Sequence, residues 1–327
     1  MNPSRTILHR VYRVGAMATA AVVLSSIAPA SIAPASMAAP SATTDNSAND
    51  TCESAARLGR APDQSDYTLA DLRRIDRRLE RTLARRSTGT TGGARFGLVL
   101  RIPVHAHVID GNRTRGVSKR AVLRQLSILN NAYDGGQSQY NASTPFRFYL
   151  ESFDRTRNQR WRTASMFDDA DIQARRRLHQ GGPDALNMYF SAPRSPNQDA
   201  VLGWSTTPWR AKRYPRIDGV TVNEQSLPGG DLAGYNRGDT AVHEVGHWLG
   251  LFHTFEGGCS PRNDRVEDTP ASREPSLGCD LEKDTCEAEG LDPVRNFMNY
   301  SFDPCMNMFT QGQVARMTDN WLAYRTP

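Results

Sequence analysis

Long apolar runs are missing from this 327-residue chain. Spanning a bilayer as a helix takes roughly 18 to 20 consecutive apolar residues, and the best candidate, Val14 to Ile27, is shorter, so a retained helical anchor is not expected. Charge of one sign is also missing where it would matter. The whole chain is formally +5 with an isoelectric point near 9.1, but residues 1–95 hold 13 basic and 8 acidic side chains, whereas residues 96–327 hold 27 of each. A formally neutral main body offers no phosphate-binding stripe, which argues against nucleic acid as a partner. Cysteine is scarce. Cys52 stands alone, and Cys259, Cys279, Cys286 and Cys305 lie close together near the carboxy terminus, so any disulfide framework is confined to that region.

The amino-terminal third does not read as a globular core. Arg5, Arg10 and Arg13 precede the apolar stretch, and Ala28-Pro29-Ala30 and Ala33-Pro34-Ala35 follow it, the order of a bacterial-style signal peptide over residues 1–38. A secreted, extracellular product is therefore expected, without stable membrane association. Residues 40–51 are rich in Ser, Thr, Ala, Asn and Asp and read as disordered. From Thr68 to Leu83 a helix is predicted: Thr68 and Asp71 have capping-box spacing, and Leu69, Leu72, Ile75, Leu79 and Leu83 recur every three or four residues, an apolar stripe able to dock on another domain. Ser87 to Ala94 is Gly- and Thr-rich and flanked by Arg85, Arg86 and Arg95, as expected of an exposed activation site. Residues 39–95 thus read as a propeptide that inhibits a catalytic domain of residues 96–327.

Within that domain the segment from His243 to His253 carries the chemistry. His243 and His247 are four residues apart and share one helix face, so both imidazoles can reach one zinc ion. Glu244 is turned aside from that pair, free to act as a general base on water. Gly250 can take a positive φ, end the helix and send the chain back so that His253 becomes the third ligand. Three neutral imidazoles leave zinc its full charge and one open position. This is the metzincin pattern, which also demands a methionine turn downstream; Asn296-Phe297-Met298-Asn299-Tyr300 supplies Met298 as a soft floor. Tyr300 follows at the place where a tyrosine in several metzincin branches reaches the metal or the oxyanion.

Further segments narrow the resemblance. His243 to Phe255 with Gly257-Gly258-Cys259, Val266 to Pro270, Asn296 to Tyr300, Cys305-Met306 and Phe309 to Gln313 closely resemble the pappalysin (cytophagalysin-like) family, over roughly residues 219–317, about a third of the chain. The resemblance implies a secreted zinc metalloendopeptidase made as a zymogen and acting on proteins or peptides, with Glu244 as base and Tyr300 as transition-state helper. Of the three pairings four cysteines allow, it favours Cys259–Cys286 and Cys279–Cys305. It also implies calcium at Asp264, the Val266 carbonyl and Thr269, in a loop whose oxygens are of the hard type calcium prefers. Relatives use a propeptide cysteine to fill the fourth zinc position, which makes Cys52 a candidate cysteine switch, although Asp50-Thr51-Cys52-Glu53-Ser54 lacks the usual flanking Arg and Gly. Members preferring a basic residue after the scissile bond have an acid immediately before the last cysteine; here Pro304 stands there, preceded by Asp303.

The expected fold is α/β (α+β): a mixed, mostly parallel twisted sheet with the active-site helix in an upper subdomain of about residues 96–253, and an irregular, disulfide-stapled lower subdomain of about 254–327. Strands are expected at Phe96–Ile109, Phe146–Phe153 and Leu186–Ser191, and a helix at Lys119–Tyr133. Ile217–Asn223 is expected beside the active-site helix, as the antiparallel edge that receives an extended substrate. His105 and His107, alternating along the first strand, read as structural. Two rival functions remain at this level: a noncatalytic secreted protein with a structural zinc, and a metallohydrolase with a nonpeptide substrate.

Overall fold

The computed structural model describes residues 67–87 and 99–327. The signal peptide, Cys52, the Gly-rich activation segment and the beginning of the first strand at Phe96 lie outside the described residues.

Five strands form one sheet in the order β2-β1-β3-β5-β4. β1 (Leu100–Asp110) runs parallel to both β2 (Phe146–Arg157) and β3 (Leu186–Ser191). β5 (Val220–Asn223) is parallel to β3, and β4 (Gly203–Ser205) closes the edge antiparallel to β5. The expectation for Ile217–Asn223 is therefore corrected. That strand is internal and parallel, and the antiparallel edge is the three-residue β4, too short to leave a periodic signal in the sequence.

Alternation along β1 sorts its side chains. Ile102, Val104, Ala106 and Val108 are wholly buried in the main core, while His105 and His107 point to the opposite face. The core face is covered by α2 (Lys119–Tyr133), capped where the Ser118 side chain accepts from the Ala121 N–H, and by α4 (Asp239–Trp248), all ten of whose residues are buried. Val122, Leu126 and Leu129 of α2 and Val242, Val245 and Trp248 of α4 meet the sheet there; each side chain of this size contributes about 1.5–3 kcal/mol on burial. The opposite face carries α3 (Asp169–Leu178) and is ionic instead: Arg175, fully buried, bonds Asp171, the Thr221 hydroxyl and the carbonyls of Ile217 and Gly219.

Beyond residue 253 regular structure is sparse until α5 (Gln311–Asn320), which opens with a capping box of Thr310 and Gln313. Two disulfides, Cys259–Cys286 and Cys279–Cys305, staple this region, the pairing the family resemblance favours.

α1 (Leu69–Ser87) begins where the sequence places it, with the Thr68 hydroxyl and the Asp71 N–H and carboxylate reciprocally bonded, and it continues one turn past Leu83. Its stripe is docked. Leu72 and Ile75 pack with Phe252 and Trp209, and Leu79 with Ala323 and Tyr324. Asp76 pairs with both Arg265 and Arg316.

Candidate metal centre

α4 delivers His243 and His247 one turn apart, and the helix then stops at Leu249. Gly250 has φ +96°, and a Cβ there would sit 2.3 Å from the Asn320 side chain, so both conformation and space demand glycine. The chain reverses and brings His253 back. The three Nε2 atoms are 3.1, 3.0 and 3.3 Å apart. Tetrahedral bonds of about 2.0–2.1 Å to one zinc place their nitrogens roughly 3.3 Å apart, so the trio fits that ion. Among the described residues no other group of three metal-capable side chains gathers its donor atoms this closely.

What faces the other ring nitrogen suits all three to metal ligation. His243 Nδ1 lies 2.7 Å from the Phe297 carbonyl, His247 Nδ1 2.9 Å from the Leu251 carbonyl, and His253 Nδ1 3.2 Å from Glu256 Oε1. Each partner is an acceptor, so each Nδ1 carries the proton and each Nε2 presents its lone pair to the shared point.

Glu244 is 2% exposed on the same helix. Its carboxylate fits against the edge strand because residue 203 is glycine: a Cβ there would lie 3.1 Å from Glu244 Oε1 and 2.6 Å from the Thr221 carbonyl. Met298 lies beneath α4, where a Cβ on Gly246 would come within 2.4 Å of its sulfur. The Met298 carbonyl accepts from the Thr254 N–H at 3.1 Å, and Asn296 Oδ1 accepts the Met298 N–H at 2.9 Å, so the turn is bonded on both sides. The Tyr300 ring is 4.9 Å from that of His253 and 5.8 Å from that of His243.

Asp303 faces inward and not toward a substrate. It is 3% exposed, and its Oδ2 accepts the backbone N–H groups of Arg237, Gly238 and Asp239 at 2.7, 3.1 and 3.4 Å. α4 has Gly238 at its N-cap with no capping side chain of its own, so Asp303 caps it from 64 residues away. Asp239, also 3% exposed, lies beside it. Burial pushes the Asp239 carboxyl up to about 8, the neighbouring Asp303 charge adding to it; burial likewise raises Asp303, against the pull of the three N–H groups.

In the candidate calcium loop Asp264 is 1% exposed, and its Oδ1 accepts the Val266 N–H at 3.0 Å. Burial holds this carboxyl well above the usual range, opposed by that N–H, the Arg316 charge and Thr269 beside it.

The curated proteins most like this chain include extracellular metalloprotease 1 of Coccidioides posadasii, 38% identical over 232 residues that cover 69% of this chain and 78% of the relative. An extracellular metalloprotease of Verticillium alfalfae is 41% identical over the same length and coverage. The Peptidase_M43 family model, described as pregnancy-associated plasma protein-A, matches residues 211–322. The chain belongs to the pappalysin family. Among solved structures it is similar to mature mirolysin of Tannerella forsythia in complex with a cleaved peptide, with TM-score 0.58, 25% identity, and coverage of 70% of this chain and 99% of that one. A promirolysin mutant superposes over more of it, 80% against 91%, with TM-score 0.64 and 23% identity. The fold is thus that of the metzincins, and the family is one of metalloproteases. Among the described residues no helix is long and apolar enough to cross a membrane.

Sequence reasoning missed three members of this site: Gly203, Glu256 and the capping role of Asp303. Gly203 and Asp303 act across long sequence separations and leave no local pattern. Glu256, three residues after His253, was within reach as a carboxylate beside a predicted ligand.

Proposed function

We propose that this chain is a secreted, zinc-dependent endopeptidase made as a zymogen, with a signal peptide at 1–38, a propeptide at 39–95 and a catalytic domain at 96–327. The observation that carries this reading is the convergence of three Nε2 atoms within 3.3 Å of one another, beside a buried glutamate on the same helix. Zinc, when bound, supplies Lewis acidity and lowers the pKa of a water toward ~7. Glu244 takes a proton from water onto its carboxylate as the peptide carbonyl is attacked and then delivers it to the leaving amine. The Tyr300 phenol, beside two ligand rings, donates to the oxygen that develops negative charge. An extended substrate would lie along β4, the antiparallel edge. In the latent form Cys52 would offer its thiolate as a fourth donor.

Calcium is proposed at Asp264, Val266 and Thr269, supported by a carboxyl buried this deeply in a loop of oxygen donors. Its addition should raise the melting temperature of wild type more than that of Asp264→Asn.

The test of function expresses the residues after the signal peptide, follows self-processing by intact mass, and assays casein with and without chelator. Wild type should shorten and release peptides in a chelator-sensitive manner. Glu244→Ala should keep its zinc and lose about 10²–10⁴-fold in turnover; undiminished proteolysis by this variant would remove Glu244 from its role.

A further inference from the structure

Two of the three ligand imidazoles lean on neutral main-chain carbonyls, but His253 leans on a carboxylate. Glu256 is 4% exposed and is supplied by the turn that immediately follows the ligand, its own N–H donating to the His253 carbonyl at 3.1 Å. A carboxylate on Nδ1–H fixes the tautomer and orientation of a ligand ring and raises the basicity of Nε2. The effect is strong here because little water reaches the pair.

The segment from Gly250 to Glu256 that carries His253 and Glu256 is gripped by α1 and by Tyr67, two residues before it. Tyr67 packs edge-on against Phe252 at 5.4 Å and against Trp209 at 6.3 Å. Its phenol is raised to about 12 by burial, with the Glu256 charge adding to the rise against hydrogen bonds to Trp209 and Thr207, which places Tyr67 within the field of that carboxylate. Asp76 bonds Arg316 at 3.0 Å; Arg316 in turn donates to the Gly250 carbonyl at 3.0 Å and lies 4.6 Å over the Phe252 ring. The Gly250 carbonyl is thus held through Asp76 and Arg316, and Phe252, the residue before His253, is held by Tyr67.

We propose that Glu256 is the positioning residue of the third zinc ligand, and that α1, docked over residues 250–256, sets how firmly the metal is retained. The proposal rests on the zinc reading above. The departure of α1 loosens the Gly250 turn and lets water reach the His253–Glu256 bond, so the zymogen holds its metal more tightly than the processed enzyme.

The experiment uses the full chain after the signal peptide, carrying Glu244→Ala so that it stays intact, loaded with zinc and mixed with excess chelator. Zinc content is measured first, then the rate of release. Glu256→Ala should release zinc ~10–100-fold faster, with Glu256→Gln between it and the parent because its amide oxygen still accepts from Nδ1–H. Leu72→Asp, which undocks α1, and the milder Asp76→Asn should both release zinc faster with Glu256 intact. Hydrogen exchange over 69–87 verifies undocking. A parent that binds no zinc defeats the zinc reading itself. A parent that binds one zinc while Glu256→Ala releases it at the parental rate overturns the positioning role, even if that variant melts earlier without metal. Unchanged release from a chain whose α1 is shown to be undocked overturns the dependence on α1.

Discussion

His105 and His107 on β1 and the trio around α4 are histidine groups of one chain with opposite fates. In the trio every Nδ1 faces an oxygen acceptor and every Nε2 faces the other two. In the strand pair, His107 has acceptors on both sides. Its Nδ1 is 2.7 Å from an Asp154 oxygen, and its Nε2 is 3.0 Å from Asn187 Oδ1. The Asn187 amide is oriented by Gln180, which accepts from its Nδ2 and donates to its Oδ1, both at 2.9 Å, so oxygen and not nitrogen meets the ring. Both nitrogens of His107 are thus engaged by side chains at separate points, and neither converges with another imidazole. Its ring is wholly buried and stacked on Tyr189 at 5.0 Å. A histidine becomes a ligand, then, through what holds its second nitrogen, and spacing alone is not sufficient.

The largest test of this contrast substitutes one member of each group. His253→Ala should lose zinc and with it all casein hydrolysis, whereas His107→Ala should keep one zinc per chain and lose about 1–3 kcal/mol of stability, because a buried ring stacked on Tyr189 and its hydrogen bonds are removed. Zinc loss in His107→Ala, measured by metal analysis of the folded protein, would erase the distinction.

A smaller effect separates the residues before 254 from those after. Both regions share the main core, to which Phe297, Met306, Phe309 and Trp321 contribute, but only the second also carries cystines. Replacing Cys259 and Cys286 together with Ser should cost ~2–4 kcal/mol in denaturant unfolding and expose the lower region to proteolysis first. Uniform loss of protection across both regions would show that they unfold as one.

The smallest effect concerns the start of α4. A carboxyl whose folded pKa is raised stabilises the fold while protonated; its contribution is complete below the ordinary value of 3.8 and is lost as pH rises through about 8 for Asp239. The wild-type melting temperature should therefore fall between pH 4 and 8 more steeply than that of Asp239→Asn, which stays neutral. Parallel curves would remove this pair from the pH response.

Much of the site was legible because its signals are local. The spacing of His243, His247, Gly250 and His253 is a property of one helix and one turn, and the capping of α1 and its apolar stripe are likewise short-range. The sequence pattern ends the second strand at Phe153, but pairing with β1 carries it to Arg157 through residues whose polar side chains hide the alternation. The antiparallel edge was not legible, because the three-residue β4 has no periodicity to detect.

The sequence by itself determined which histidines gather at the candidate metal centre, which cysteines were available to pair, and that residues 68–83 form an amphipathic helix, because each depends on residues within a few turns of one another. Only the tertiary structure decided that Phe297, Leu251 and Glu256 orient the three imidazoles, that Asp303 caps the active-site helix instead of meeting a substrate, that Gly203 makes room for Glu244, and that Asp76 reaches Arg265 and Arg316. Those are contacts between segments up to 240 residues apart, and hydrogen-bond direction and close approach come into being only when the segments are packed together.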